Sequence, residues 1–353
     1  MRELTPLKIG YFADGIWAHN ALKKLILSPY FEICFIVPRF NSTDTILENL
    51  ALTYHIPYIK TQNINSHDFM EQIAPFCCDI FVSMSFNQIF KEPLISLPPL
   101  KTINCHAGKL PFYRGRNILN WALINDEKEF GISVHYIDSD IDTGDIILQR
   151  SYPISDLDDY STLLHTAHIQ CAEVLFDALM LLYNGTASPT PQDSIHQVGF
   201  YCPARCKGDK WIIWNQPSRD IFNFIRALNT PDLGALAQIK KQDEIINIRI
   251  FKSHLIENAP SYIATPGAIV GVIAHSKDMP TLIVKTQDST LALTRYESSY
   301  TPRLGDRFLN TQQLAGGGAV TLFPLSYFLL FLYLIFFYTQ LHLFTRSFYA
   351  KRK

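Results

Sequence analysis

What this chain lacks narrows its function before any motif is read. No Gly-x-Gly-x-x-Gly follows the first strand-like run, Leu7 to Ala13, so the turn Ala13-Asp14-Gly15-Ile16-Trp17 is not built as a dinucleotide site. The seven cysteines, at 34, 77, 78, 105, 171, 202 and 206, form no paired framework and no secretory leader opens the chain, so a reducing, cytoplasmic setting is expected. Cys202-x-x-x-Cys206 has no nearby His or Cys to complete a zinc site, and no metal is expected. Basic excess is missing as well: residues 1–200 carry 13 Lys and Arg against 22 Asp and Glu, net −9. That disfavours a long phosphate backbone as the partner of this half, because such affinity rests on neutralised phosphates. Residues 201–308 reverse the balance, 14 against 10, net +4.

What is present is an alternation of strand and helix signals. Strands are expected at Leu7 to Ala13, Phe31 to Val37, Asp79 to Met84 and up to His106, with helices near Ala18 to Leu27, Thr45 to Tyr54 and Ser66 to Ala74. Such alternation implies an α/β fold with a doubly wound, mostly parallel, Rossmann-like sheet that offers ligands the carboxyl ends of its strands. Two more strands, Gly131 to Ile137 and Ile146 to Arg150, precede a long amphipathic helix from Tyr160 to Tyr183. Since single cores split beyond roughly 250–300 residues, 353 residues suggest two domains. Pro189-Thr-Pro-Gln marks the join, giving a catalytic domain over 1–188, a linker over 189–204 and a second domain over 205–308. A helix at Ser218 to Leu228 and short strands at 245–252, 267–273, 281–285 and 291–294 suit a small OB-like β-barrel.

The chemistry concentrates in Thr102 to Gly115. Asn104 and His106, at i and i+2, share one face of a strand that ends at Ala107-Gly108. An amide supplies a fixed neutral donor and an imidazole can donate, accept or change charge near neutral pH, a pairing suited to a carbonyl substrate. The bland alternative is a pair of satisfied turn residues. Further on, Asp138-Ser-Asp140-Ile141-Asp142-Thr-Gly-Asp145 packs four carboxylates into eight residues, either as a solvated turn or as a working loop that Thr143-Gly144 aims back at His106. Between them, Arg114 and Arg116 flank a glycine beside aromatic residues, which reads as a diphosphate clamp or as the solvated start of a helix near Asn117.

Asn104-x-His106, Leu110-Pro111-x-x-Arg114-Gly115 and Asp142-Thr143-Gly144-Asp145, in this order and spacing, resemble the formyltransferase family that uses 10-formyltetrahydrofolate. The resemblance extends more loosely from Lys8 to Phe308 and implies a catalytic triad of Asn104, His106 and Asp142. It implies a pterin pocket formed by the loop after the third strand, with Met84, Phe86, Asn87 and Ile89, and by the acidic loop, with Asp138, Asp140 and Ile141. Phe86 and Ile89 read equally well as core residues. The strings Lys109-Leu-Pro-Phe-Tyr113-Arg114-Gly-Arg116-Asn117 and Ala-Asp14-Gly-Ile-Trp17 look more like enzymes that formylate nucleotide-linked 4-amino sugars, such as a dTDP-4-amino-4,6-dideoxyhexose, for surface polysaccharide and O-antigen (lipopolysaccharide) synthesis. On that resemblance Asp14, Trp17, Lys109, Tyr113, Arg114, Arg116 and Asn117 meet the acceptor, and a homodimer is expected. Methionyl-tRNA formylation is the alternative, favoured by the second domain; only there would nucleic acid be a partner. Purine-precursor formylation, formyl-folate hydrolysis and a binding protein without activity rank below these.

The chain's last stretch departs from the family. Leu309 to Thr345 holds no Asp, Glu, Lys or Arg, and Val320 to Tyr338 is nearly all apolar before a basic end, Arg346 to Lys353. About nineteen such residues can span a bilayer as a helix. A single span would conflict with a basic end on the cytoplasmic side. The readings that remain are a monotopic or hairpin membrane contact through 320–344 and a non-native extension.

Overall fold

The computed structural model describes residues 5–230, 234–275 and 279–310. In β1 (Leu7–Ala13), Ile9, Tyr11 and Ala13 enter one apolar cluster and Phe12 the opposite one. That period of two is what a sheet covered on both faces requires. Helix α1 (Gly15–Ile26), β2 (Phe31–Val37), α2 (Thr45–Thr53), α3 (His67–Ile73), β3 (Ile80–Met84) and β4 (Thr102–His106) follow as the alternation predicts. Asp44 caps α2 by accepting from the Ile46 and Leu47 amides, and Ser66 caps α3. Next come the two-residue β5 (Arg114–Gly115), α4 (Ile118–Ile124), β6 (Glu129–Tyr136), β7 (Ile146–Pro153) and α5 (Tyr160–Tyr183).

The six-stranded sheet has the order β2-β1-β3-β4-β6-β7. Its pairings are parallel from β2 to β4; β6 alone runs against its neighbours. Helices α1, α4 and α5 cover one face, whereas α3 and Phe90, Leu94 and Ile95 cover the other over β1 to β3. On that second face Phe12 meets Phe35, Phe69, Phe81, Phe86 and Phe90 edge-on. Gly10 lets the rings close, since a Cβ there would stand 2.5 Å from Phe35 and 2.6 Å from Phe81. Gly10→Ala is therefore expected to cost about 1–3 kcal/mol through overpacking, read as a lower thermal midpoint.

The connecting stretch holds α6 (Gln192–Ile195) and β8 (Tyr201–Cys202), and β8 pairs with β5. Helix α7 (Ser218–Ala227) leads to a second sheet made of β9 (Ala235–Lys241), β10 (Glu244–Leu255), β11 (Ile269–Ile273), β12 (Thr281–Lys285) and β13 (Thr290–Ser298). Its order is β11-β12-β13-β10-β9, antiparallel throughout. The alanine-rich β9 was not anticipated. The core of this part centres on Trp214 stacked on Phe308, with centroids 4.7 Å apart.

Polar contacts join the two halves. Arg219 bridges Asp126 and Asp156, Arg226 donates to the Ser155 carbonyl at 2.6 Å, and Asn120 donates to the Ala227 carbonyl at 2.6 Å. Burial pushes the Asp126 carboxyl up, but Arg219 and Lys128 outweigh it and hold the group well below the usual carboxylate range. Beyond Asn310 the expected apolar tail lies outside the described residues. Among the described residues, no helix is long and apolar enough to cross a membrane.

Candidate active site

The pleat of β4 sorts its side chains. Ile103 and Cys105 turn into the core beneath α5, where the Cys105 thiol donates to the Cys171 carbonyl, so Asn104 and His106 emerge on the opposite face. Antiparallel pairing sets His135 of β6 directly beside Asn104. Into this corner the acidic loop delivers Asp142, whose φ of 55° is left-handed. Gly144 permits the turn, because a Cβ there would lie 2.1 Å from the Tyr136 carbonyl oxygen.

Each oxygen of the Asp142 carboxylate has its own neighbours. Oδ2 accepts from the Gly115 amide at 2.9 Å and lies 3.6 Å from His106 Nδ1. Oδ1 is 3.5 Å from both Asn104 Nδ2 and His135 Nε2. Burial raises the Asp142 carboxyl, yet the nearby His106 and His135 rings and the Gly115 amide prevail and keep it ionised well below the usual range. His106 Nε2 donates to the Tyr113 carbonyl at 2.8 Å, which fixes the ring and leaves Nδ1 facing the carboxylate. The His135 Nδ1–H donates to the Tyr136 carbonyl at 2.7 Å, and its Nε2 stands 3.3 Å from the Asn104 amide nitrogen beside the Asp142 carboxylate.

These groups open onto a cavity of about 980 Å³ between the β3–β4 loop and the acidic loop. Met84, Phe86, Asn87, Ile89, Asp138, Asp140 and Ile141 all line it, as do Trp17, Arg116 and Asn117. The walls are mixed: Phe86, Ile89, Phe90, Ile137 and Ile141 are apolar, while Asn87 and the carboxylates of the acidic loop are polar. Asp140 is tied back through its amide to Asp138, which also accepts from Thr143. Arg116 is exposed at the cavity, and its side chain has no ion pair or hydrogen bond among the described residues.

Four residues expected to meet an acceptor point elsewhere. Lys109 lays its stem over Gly131 and pairs with Glu129. The Tyr113 hydroxyl is turned inward, donating to Glu127 at 2.5 Å; only its carbonyl serves the site. Arg114 is spent on Gln192, at 3.1 and 2.7 Å. Asp14 is not in the wall of the large cavity but lines an adjoining one of about 310 Å³, which shares Arg39 and Asn87 with it. The reason is common to the first three: short turns between β4 and α4 alternate their side chains between cavity and interior, and the motif string does not show which go where.

Three contributors were missed. His135 stands in a run read only as a strand, although its alternation with Ser133 marked the face it shares with the site. Gln192 lies in the stretch 189–204 that composition marks as a linker. Arg39 donates to the Ser85 carbonyl at 2.9 Å and holds the start of the β3–β4 loop, where Ser85 has a φ of 56°. No sequence signal linked that pair.

Comparison with known proteins identifies the family of the chain. Residues 42–179 match the family model described as formyl transferase, and residues 206–312 the formyl transferase C-terminal domain. A methionyl-tRNA formyltransferase of Pelobacter propionicus is 35% identical over 52% of this chain and 56% of its own length, so the match spans little more than half of that relative. The enzyme of that name from Ruminiclostridium cellulolyticum is 32% identical over 64% of this chain and 70% of its own. Among solved structures, WlaRD, a sugar 3N-formyl transferase in the presence of dTDP and 5-N-formyl-THF, aligns at a TM-score of 0.57 and 22% identity, covering 84% of this chain and 100% of that one. The N-formyltransferase from Helicobacter canadensis, in complex with folinic acid and dTDP-3-aminofucose, aligns at 0.57 and 22%, covering 82% and 99%. With both family models matched in order, and a relative 32% identical across 70% of its own length, this chain belongs to the formyl transferase family.

Proposed function

We propose that the protein transfers a formyl group from 10-formyltetrahydrofolate to the amine of a nucleotide-linked amino sugar. The observation that carries the transfer chemistry is the convergence of Asn104, His106 and Asp142 on one wall of the large cavity. The slot between Phe86–Phe90 and Ile137–Ile141 suits a flat, partly apolar pterin edged by backbone polar groups. In the reaction the acceptor nitrogen bonds to the formyl carbon, the donor's carbon–nitrogen bond breaks, and one proton passes from the amine to the departing nitrogen. Negative charge developing on the formyl oxygen is met by the Asn104 amide and His106; removing one such donor typically costs ~2.7–4 kcal/mol of barrier. Asp142 holds His106 opposite the Tyr113 carbonyl and takes part in moving the amine's proton.

The unpaired Arg116 supports the sugar reading, since a free guanidinium in a cavity that Trp17 and Tyr201 also line suits a diphosphate with a stacked base. Methionyl-tRNA is the second reading, favoured by the names of the curated relatives. We read the second sheet as an OB-like barrel, supported by bridges from Phe308 to β9 and from Arg307 to the residue before β11, which join its two edges. Residues 1–188 and 205–308 are taken as the two domains, in a cytoplasmic homodimer. The test is tetrahydrofolate release by purified protein given 10-formyltetrahydrofolate with a dTDP-4-amino sugar or with methionyl-tRNA. Release with the sugar alone is expected. Release with the tRNA alone would replace the acceptor, and release with neither would sink both readings.

A further inference from the structure

The connecting stretch carries a side chain that is built into the site. Gln192 opens α6 and is 3% exposed. Its Nε2 donates to the Asp142 carbonyl at 2.9 Å and the Gly144 carbonyl at 2.8 Å. Its Oε1 accepts from Arg114 Nε at 3.1 Å and Nη2 at 2.7 Å. Both hydrogens and the acceptor capacity of the amide are therefore used. Arg114 belongs to β5, whose next amide, Gly115, holds Asp142 Oδ2 at 2.9 Å. The contacts close a ring: Asp142 backbone, Gln192, Arg114, Gly115, Asp142 carboxylate. Asp142 sits in the left-handed region, a conformation that persists in a non-glycine residue only when its surroundings over-determine it.

We infer that Gln192 is a positioning residue that fixes the backbone of Asp142 and thereby aims its carboxylate at His106. The inference rests on the reading of Asp142 as the catalytic carboxylate. Glutamate is the discriminating replacement. It keeps an acceptor for Arg114 but sets an oxygen against two carbonyl oxygens at 2.8–2.9 Å, so the turn is repelled while the shape is kept.

The experiment compares the intact protein with Gln192→Glu, Gln192→Leu, Asp142→Asn and the double variant Gln192→Glu/Asp142→Asn. Ile250→Ala, in the core of the second sheet, serves as a destabilised control. Gln192→Glu should lower kcat by about 10-fold or more while KM for the formyl donor stays within about threefold. Because both residues act through one carboxylate, the double variant should lose no more than Asp142→Asn alone. The carbon-13 resonance of the Asp142 carboxylate, assigned by its absence in Asp142→Asn, should titrate at higher pH in Gln192→Glu than in the parent.

An unmoved titration, additive losses in the double variant, or a kcat loss no larger than that of Ile250→Ala at equal thermal midpoint would overturn the inference. The titration needs no turnover. An inactive parent defeats the formyl-transfer reading and a fully active Asp142→Asn defeats the reading of Asp142 as the catalytic carboxylate, whereas the titration alone reports the positioning.

Discussion

Asp142→Asn is expected to lower kcat by about 10²–10⁴ while leaving the fold intact. The amide keeps the shape of the carboxylate and can still accept from the Gly115 amide through its oxygen. It cannot supply the charge that His106 Nδ1 faces at 3.6 Å, and its nitrogen is a donor where Asn104 already donates at 3.5 Å. The loss falls on kcat because the carboxylate's partners are protein groups, and single-turnover kinetics would separate it from binding.

Stability carries a second signature of the same change. The folded Asp142 carboxyl is held below its unfolded value, which lies at about pH 3.9 for an aspartate. A group depressed in this way stabilises the fold above the unfolded pKa, and that contribution disappears as the pH falls through the folded value. Thermal midpoints measured down into the acid range should therefore drop more for the parent than for Asp142→Asn. Equal slopes would show that the carboxylate is not held as described.

Gly108→Ala should be nearly as damaging, although it changes no polar group. A Cβ on Gly108 would stand 2.4 Å from His106 Nε2 and 2.5 Å from the Tyr113 carbonyl oxygen, the two atoms joined by the ring's fixing hydrogen bond. One of them must move. Since His106 is nearly buried against its strand and Tyr113 is anchored through Glu127, relief comes by rotating the imidazole away from Asp142. A misplacement on the order of 1 Å can cost ~10² in rate, and overpacking adds ~1–3 kcal/mol of destabilisation. Measured kcat and thermal midpoint should fall together, with KM for the formyl donor little changed because Gly108 is not among the residues that line the cavity proposed to hold it. A wild-type kcat in this variant would mean that the His106 to Tyr113 bond plays no part in turnover.

The sequence made the mostly parallel sheet legible because its strands alternate with helices, and Tyr160 to Tyr183 was anticipated end to end. The proposed catalytic cluster was legible for a different reason: Asn104 and His106 share a strand face, so one motif brings both to the cavity. What stayed hidden depends on contacts between distant segments. Nothing in Pro191-Gln192-Asp193 signals two carbonyls fifty residues earlier, and His135 becomes a neighbour of Asp142 only through the antiparallel register of β6. Side-chain direction in short turns was equally obscure, as Lys109, Tyr113 and Arg114 illustrate. The missed β9 reflects weak local preference, since alanine is depleted in strands and here tertiary pairing with β10 decides.

The ladder between β5 and β8 changes where this chain can be cut. A boundary placed at Pro189 by composition would leave Gln192 and Tyr201–Cys202 on the wrong side, taking with them the support of Arg114 and Gly115. A chimera that exchanges the second sheet for that of a relative should therefore be joined after Cys202. The unit that recombines is longer than the unit that carries the chemistry, by the length of one strap.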